Sequence, residues 1–100
     1  MPTSFVIAAE HPALPGHFPG NPVVPGVVLL ERVLDAARAE LGHEPVVAEL
    51  KQVKFLTPLK PGEQADVALE FGGPRLAFRI TRGEQLLAVG EFMLQPEPRA

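Results

Sequence analysis

Ten consecutive residues constrain this chain more than any others: His17-Phe18-Pro19-Gly20-Asn21-Pro22-Val23-Val24-Pro25-Gly26. Three prolines and two glycines stand in that run. Each proline fixes its own φ and keeps the residue before it extended, so the stretch cannot be helix or inner strand. It is a stiff loop, and it leads directly into Val27-Val28-Leu29-Leu30-Glu31. A helix tolerates proline only at its start, so Pro25 marks where one begins. The spacing predicts a helix from Gly26 to about Leu41, with Gly42 as its left-handed cap. Val27, Leu30, Leu34, Ala37 and Leu41 fall on one stripe, read as the core face. Val28, Leu29 and Val33 widen the apolar surface, so the helix should be covered on more than one side. Glu31, Asp35 and Arg38 share one flank, with Asp35 and Arg38 spaced as an i,i+3 pair and with Arg32 and Glu40 elsewhere.

The rest of the chain reads as strands. Ser4–Ala9 forms a short one, followed by loop from His11 to Pro25. Val46–Leu56 is a long strand that alternates from Gln52, with Val53 and Phe55 on one face. Pro58, Pro61 and Gly62 turn the chain. Gln64–Phe71 alternates, with Ala65, Val67, Leu69 and Phe71 inward. Gly72-Gly73-Pro74 is a hairpin turn. Arg75–Thr81 presents Leu76, Phe78 and Ile80 on one side; Arg82–Gln85 turns again, and Leu86–Leu94 closes the domain. Gln95–Ala100 carries two prolines and is expected to fray from residue 96. No internal repeat is present. With 100 residues, one domain over 1–100 is expected, with a thin core. The order is strand, helix, four-strand antiparallel meander. The fold class is α+β, a five-stranded antiparallel sheet wrapped around one central helix. A unit covered on one side only is expected to pair with a copy of itself, sheet edge to sheet edge.

Composition removes several function classes. The 46% apolar and 21% charged content is that of a globular protein despite 12 prolines. A net charge of −3 and six Phe without Trp or Tyr provide neither a basic face nor stacking platforms for nucleic acid. The absence of Cys excludes disulfide and thiolate chemistry, and the three His stand apart, so no metal and no cofactor is expected. No apolar run reaches the roughly 20 residues of a membrane span. Met-Pro-Thr-Ser does not open like a signal peptide, which makes the cytoplasm the expected location.

The loop and helix carry the candidate chemistry. His17 is suited to abstract a proton near neutral pH. Glu31 follows Val28, Leu29 and Leu30, and a carboxyl buried among apolar groups holds its proton more tightly and can donate it. The free amides at Gly26 and Val27, at the positive end of the helix dipole, suit a developing oxyanion. Base, acid and oxyanion donor together suit loss of water from a β-hydroxy thioester. Two plainer readings stand beside this one: His17 capping a turn or packing on Pro19, and Glu31 balancing the helix dipole in the first turn. His11 and His43 are read as loop residues without chemistry, and Lys51 and Lys54 as a solvated strand face.

The run from His17 to Glu31, of the form H-F-P-G-x-P-x-x-P-G-V followed by a helical Glu, resembles the active-site segment of the bacterial β-hydroxyacyl-acyl-carrier-protein dehydratases of the hot-dog fold. Lys54-Phe55, Pro58 and Pro61-Gly62-Glu63 are similar to that family's next strand and turn, and the likeness spans roughly Pro15 to Leu94. The compact form resembles dehydratase-like proteins of polyketide or aryl-polyene pathways.

The resemblance implies dehydration of 3-hydroxyacyl groups on acyl carrier protein to trans-2-enoyl thioesters. His17 would be the base, Glu31 of a partner chain the acid, and the Gly26 and Val27 amides the carbonyl site. Phe18, Val23, Leu30 and Leu34 would line the acyl path or fill the core. Acyl carrier protein, with Lys51, Lys54 and Lys60 as contacts, and a homodimer or a heterodimer with a paralogue are the implied partners. Two departures stand out. Only sixteen residues precede His17, so part of a lid or dimer seam is expected to be missing. Asp35 stands where the family commonly carries Gln. A hot-dog thioesterase using Glu31 and a non-catalytic subunit of a heteromeric dehydratase are the competing readings.

Overall fold

The computed structural model describes residues 3–8 and 23–95. Five strands and one helix follow in the order β1 (Thr3–Val6), α1 (Gly26–Leu41), β2 (Val47–Phe55), β3 (Gln64–Gly72), β4 (Arg75–Arg82) and β5 (Gln85–Leu94). All are joined in one antiparallel sheet of order β1-β3-β4-β5-β2. The expected sheet around a single helix is present, but the four-strand meander is corrected. Only β3, β4 and β5 follow one another by tight turns, with two residues between β3 and β4 and two between β4 and β5. β2 crosses to the far edge and pairs with β5. The eight residues between β2 and β3 allow that crossing, where a two-residue turn would have forced neighbours to pair. β1 is shorter than expected and closes the opposite edge against β3.

The core is apolar throughout, and no buried polar side chain is among the described residues. Ala65 and Val67 of β3, Leu76, Phe78 and Ile80 of β4, and Leu87, Ala88 and Phe92 of β5 are buried in one cluster with residues of α1. The inward alternation expected for β3 holds for Ala65 and Val67 and weakens outward, with Phe71 37% exposed at the strand's end. Gly90 makes the centre possible: a Cβ there would lie 2.8 Å from both Phe78 Cζ and Val53 Cγ2. Phe78 occupies the space so released and stacks on Phe92 with ring centroids 5.5 Å apart.

The helix runs over the expected span, and Gly42 caps it at φ 82° with its N–H donating to the Arg38 carbonyl at 2.9 Å. Its orientation differs from expectation. The residues buried against the sheet are Val28, Leu29, Val33, Ala36 and Ala37. Val27, assigned above to the core face, is 62% exposed, and Leu30, Leu34 and Leu41 are only half-buried. The helix therefore has two apolar faces. One packs on the sheet, and the half-open strip of Val27, Leu30, Leu34 and Leu41 runs beside it.

One polar cluster ties two turns together. Glu63 Oε1 accepts from the Lys60 amide at 2.8 Å and from Arg82 Nη1 at 2.6 Å, and Arg82 Nη2 donates to Gln85 Oε1 at 2.7 Å. The Lys60 amide, then the Arg82 guanidinium, hold the Glu63 carboxyl below its ordinary range. On the outer sheet face the Arg75 guanidinium does the same to Glu91 across 2.7 Å. Both carboxyls have a lower pKa folded than unfolded. Their stabilisation is complete above the unfolded value and is lost as pH falls through the folded one. Thermal unfolding measured from neutral pH down is therefore expected to weaken below about pH 5. A Glu63→Gln/Glu91→Gln chain should be less stable at neutral pH and decline less steeply, the two curves converging in acid.

Candidate active site at the helix start

The chain approaches α1 through Val23, Val24 and Pro25. Val24 is buried, and its N–H donates to the Leu59 carbonyl at 2.8 Å, which pins the end of the loop to the β2–β3 connection. Pro25 takes φ −61° and ψ 147°, an extended residue at the N-cap. Its carbonyl accepts from Val28 at 3.0 Å and Leu29 at 3.4 Å, starting the helical ladder. Among the described residues no side chain caps this end, and no acidic residue lies in the first turn. The amides of Gly26 and Val27 donate to no backbone carbonyl among the described residues. Helix starts ordinarily recruit Ser, Thr, Asp or Asn for these donors. Here proline, which has no side-chain acceptor, occupies the position, and no described side chain meets the positive end of the helix.

Glu31 sits in the second turn rather than the first, so it does not balance the helix dipole. At about 100° per residue it lies roughly 200° from Leu29, on the face turned away from the sheet. It is exposed, which corrects the expectation that its own chain would bury it. Val27, one turn earlier, shares that face. The ionic partner of the helix is Asp35, held by Arg32 Nη1 at 3.0 Å and by Arg38 Nη2 at 3.8 Å. The expected Asp35–Arg38 pair is thus present, but Arg32, assigned elsewhere above, is the nearer partner. With both guanidiniums drawn to Asp35, Glu31 has no ion pair among the described residues.

Val27 and Glu31 thus share one exposed side of the helix, with Gly26 at the helix end just before them. Val23 is half-buried beside the approach, and Leu30 and Leu34 flank the core on the second apolar strip. His17 and Phe18 lie outside the described residues. Lys51, Lys54 and Lys60 are all exposed.

One neighbour was not legible in the strand alternation. A Cβ built on Gly26 would lie 2.6 Å from Phe55 Cζ and 2.9 Å from each Cε, so the ring of Phe55 points its edge directly at the helix start. As expected, Phe55 shares its face with Val53: it pairs with buried Ala88, and Val53 lies against Gly90 and Phe78 on that same side, with a β-bulge just before both residues. Lys51 pairs with Glu91 and Lys54 with Val89, which leaves one extra residue on β2, and Gln52 adopts φ 52° within it. The sequence signal that bore on this was the Lys54-Phe55 pair itself.

Two concavities exist elsewhere. One of about 940 Å³ lies on the outer sheet face around Lys54, Arg75, Arg79 and Glu91. The other, about 470 Å³ and apolar, lies beyond the helix C-terminus between Leu41, Val46, Phe71, Pro74 and Leu94. Neither is lined by Gly26, Val27 or Glu31.

Comparison with known proteins now bears on this geometry. The ApeI-like family, described as ApeI dehydratase, matches residues 1–91. The 3-hydroxyacyl-acyl-carrier-protein dehydratase FabZ of Symbiobacterium thermophilum is 29% identical over 84 residues, covering 77% of this chain and 59% of that protein. FabZ of Thermomicrobium roseum is 33% identical over 106 residues, covering 91% of this chain and 71% of its own length. The chain therefore spans between 59% and 71% of these curated relatives. Among solved structures, the dehydratase heterocomplex ApeI:P from Xenorhabdus doucetiae superposes with a TM-score of 0.83 at 25% identity, over 93% of this chain and 84% of that one. The single sheet around one helix is the hot-dog fold, and the chain belongs to the ApeI-like dehydratase family.

Proposed function

We propose that this protein dehydrates 3-hydroxyacyl thioesters, carried on acyl carrier protein, to trans-2-enoyl thioesters in a fatty acid or polyketide/aryl-polyene type of pathway. His17 removes a proton from C2. The carbonyl oxygen gains negative charge and is held by the Gly26 and Val27 amides. The C3–O bond breaks as the double bond forms, and the departing hydroxyl takes the proton of Glu31 and leaves as water. Proton exchange with solvent then returns His17 to its neutral form and Glu31 to its protonated form. Phe18, Val23, Leu30 and Leu34 line the acyl path.

The observation that carries this reading is a helix start uncapped among the described residues, with the Val27 amide and the Glu31 carboxyl one turn apart on a face that the chain's own sheet does not cover. A carboxyl in water is a poor proton donor at neutral pH, so Glu31 needs a cover. A second copy, or a paralogue, supplies it. β2 is an edge strand, and Val46, Leu50 and Leu56 in and beside it are 52%, 45% and 53% exposed. Pairing of β2 with the same strand of a partner satisfies the free edge and covers these side chains. Glu31 then acts with His17 of the other chain. The exposed Lys51, Lys54 and Lys60 suit an acidic carrier protein, and the reaction belongs in the cytoplasm, where such carriers work.

The test is to offer a 3-hydroxyacyl thioester and follow ultraviolet absorbance. Growth of the conjugated enoyl thioester band is expected. Release of free thiol without that band overturns the reading in favour of a thioesterase. Activity that arises only on mixing with a related chain assigns this one to a heteromeric dehydratase.

A further inference from the structure

The geometry points to Phe55 as the side chain that positions the thioester over the helix start. This inference rests on the reading above, in which the Gly26 and Val27 amides take the carbonyl oxygen. Phe55 is not a core residue: it is 52% exposed and lies outside the buried cluster. A large aromatic left half in water is ordinarily covered by something else or used for contact. Its placement is also heavily determined. The bulge at Gln52 turns the strand, Phe55 pairs with Ala88 of β5, and the next two amides, Leu56 and Thr57, both donate to the Leu87 carbonyl at 2.8 and 3.2 Å. A residue in the left-handed region that is not glycine stores strain. Here that strain coincides with the aiming of one ring edge at one glycine.

The consequence is steric. With hydrogen at Gly26, the ring edge comes within contact of the Cα and closes the side of the helix end nearest β2. A carbonyl reaching the two amides must come in along the remaining side, past Val27 and toward Glu31. The exposed part of the ring then forms the wall against which the planar thioester lies. Glycine is needed at 26 for the same reason: any Cβ must push the ring away.

Phe55 acts on approach and angle, so its loss should fall on turnover more than on binding. Misplacement of a reacting group by about 1 Å costs on the order of 100-fold in rate. Phe55→Ala is expected to lower kcat on that order with KM within a few-fold, and Phe55→Leu, which restores part of the volume, to recover part of it. Gly26→Ala should reduce thermal stability in the wild-type background but much less in a Phe55→Ala background, where the new methyl has room. That coupling tests the contact independently of any reaction.

A second readout does not require turnover. A 3-oxoacyl pantetheine, which cannot eliminate water, is titrated into the ¹⁵N-labelled chain. Shifts of the Gly26 and Val27 amide signals are expected in the wild type, with different direction or reduced size in Phe55→Leu. Full kcat in a folded Phe55→Ala chain, or identical amide shifts in both proteins, overturns the role of Phe55 while leaving the active-site reading intact. Absence of any shift at Gly26 and Val27 in the wild type overturns the active-site reading itself, and the positioning role with it.

Discussion

A chain carrying His17→Ala and a chain carrying Glu31→Gln are each expected to lose turnover by about 10² to 10⁴-fold, the usual contribution of a positioned acid or base. Mixed in equal amounts under conditions that allow partners to exchange, they are expected to regain about a quarter of wild-type activity. The fraction follows from symmetry. Half of randomly formed dimers hold one chain of each kind, and each of those has one site with both groups intact and one with neither. The expectation rests on the orientation of Glu31, on the helix face turned from its own sheet. A site built within one chain predicts no recovery at all. The measurement is the rate of enoyl thioester formation before and after mixing, with sedimentation to confirm that both variants remain associated.

Phe78→Ala is expected to cost about 3–5 kcal/mol, the range for removing a large buried aromatic. Phe78 is 4% exposed, stacks on Phe92, and fills the space left open by Gly90. A domain of this size is held by only about 5–15 kcal/mol in total, so the variant should lie close to the unfolding threshold at room temperature. Urea titration should show a much lower midpoint with the same slope. Gly90→Ala overpacks the same place, because its methyl would meet both Phe78 and Val53, and is expected to cost about 1–3 kcal/mol. The two changes combined should be less costly than their sum, since the new methyl enters the volume the ring has left. Additive losses would show that Gly90 and Phe78 do not share that space.

Local chemistry made much of the fold legible. The helix boundaries follow from Pro25 and Gly42, which start and stop a helix by backbone geometry alone. The two hairpin turns joining β3, β4 and β5 follow from Gly73-Pro74 and Gly83-Glu84, where period-two strands break. What misled was periodicity in α1. Val27, Leu30, Leu34 and Leu41 are spaced like a core stripe, and Val28, Leu29 and Val33 are too. A helix apolar on two sides offers two equally good core faces, and the sequence carries no term that says which one meets the sheet. In β2 the alternation held, with Val53 and Phe55 on the side that faces the helix, but the alternation could not say that the Phe55 ring would meet Gly26, because that contact depends on where the helix start lies over the sheet.

Residue order alone was enough for a helix that starts after Pro25 and carries a carboxyl on its second turn, and for the expectation of a proline-stiffened loop around His17, which lies outside the described residues. These are local consequences of proline, glycine and helical spacing, and they need no distant contact. How the parts are oriented depended on packing across the whole chain. That packing turned Glu31 outward, set Val27 in the open and brought Phe55 against Gly26 from a strand that begins some twenty residues later. The reason is that helix rotation, strand order and bulge position depend on which faces bury the most apolar surface together. That sum runs over the whole chain and cannot be read from any one segment of it.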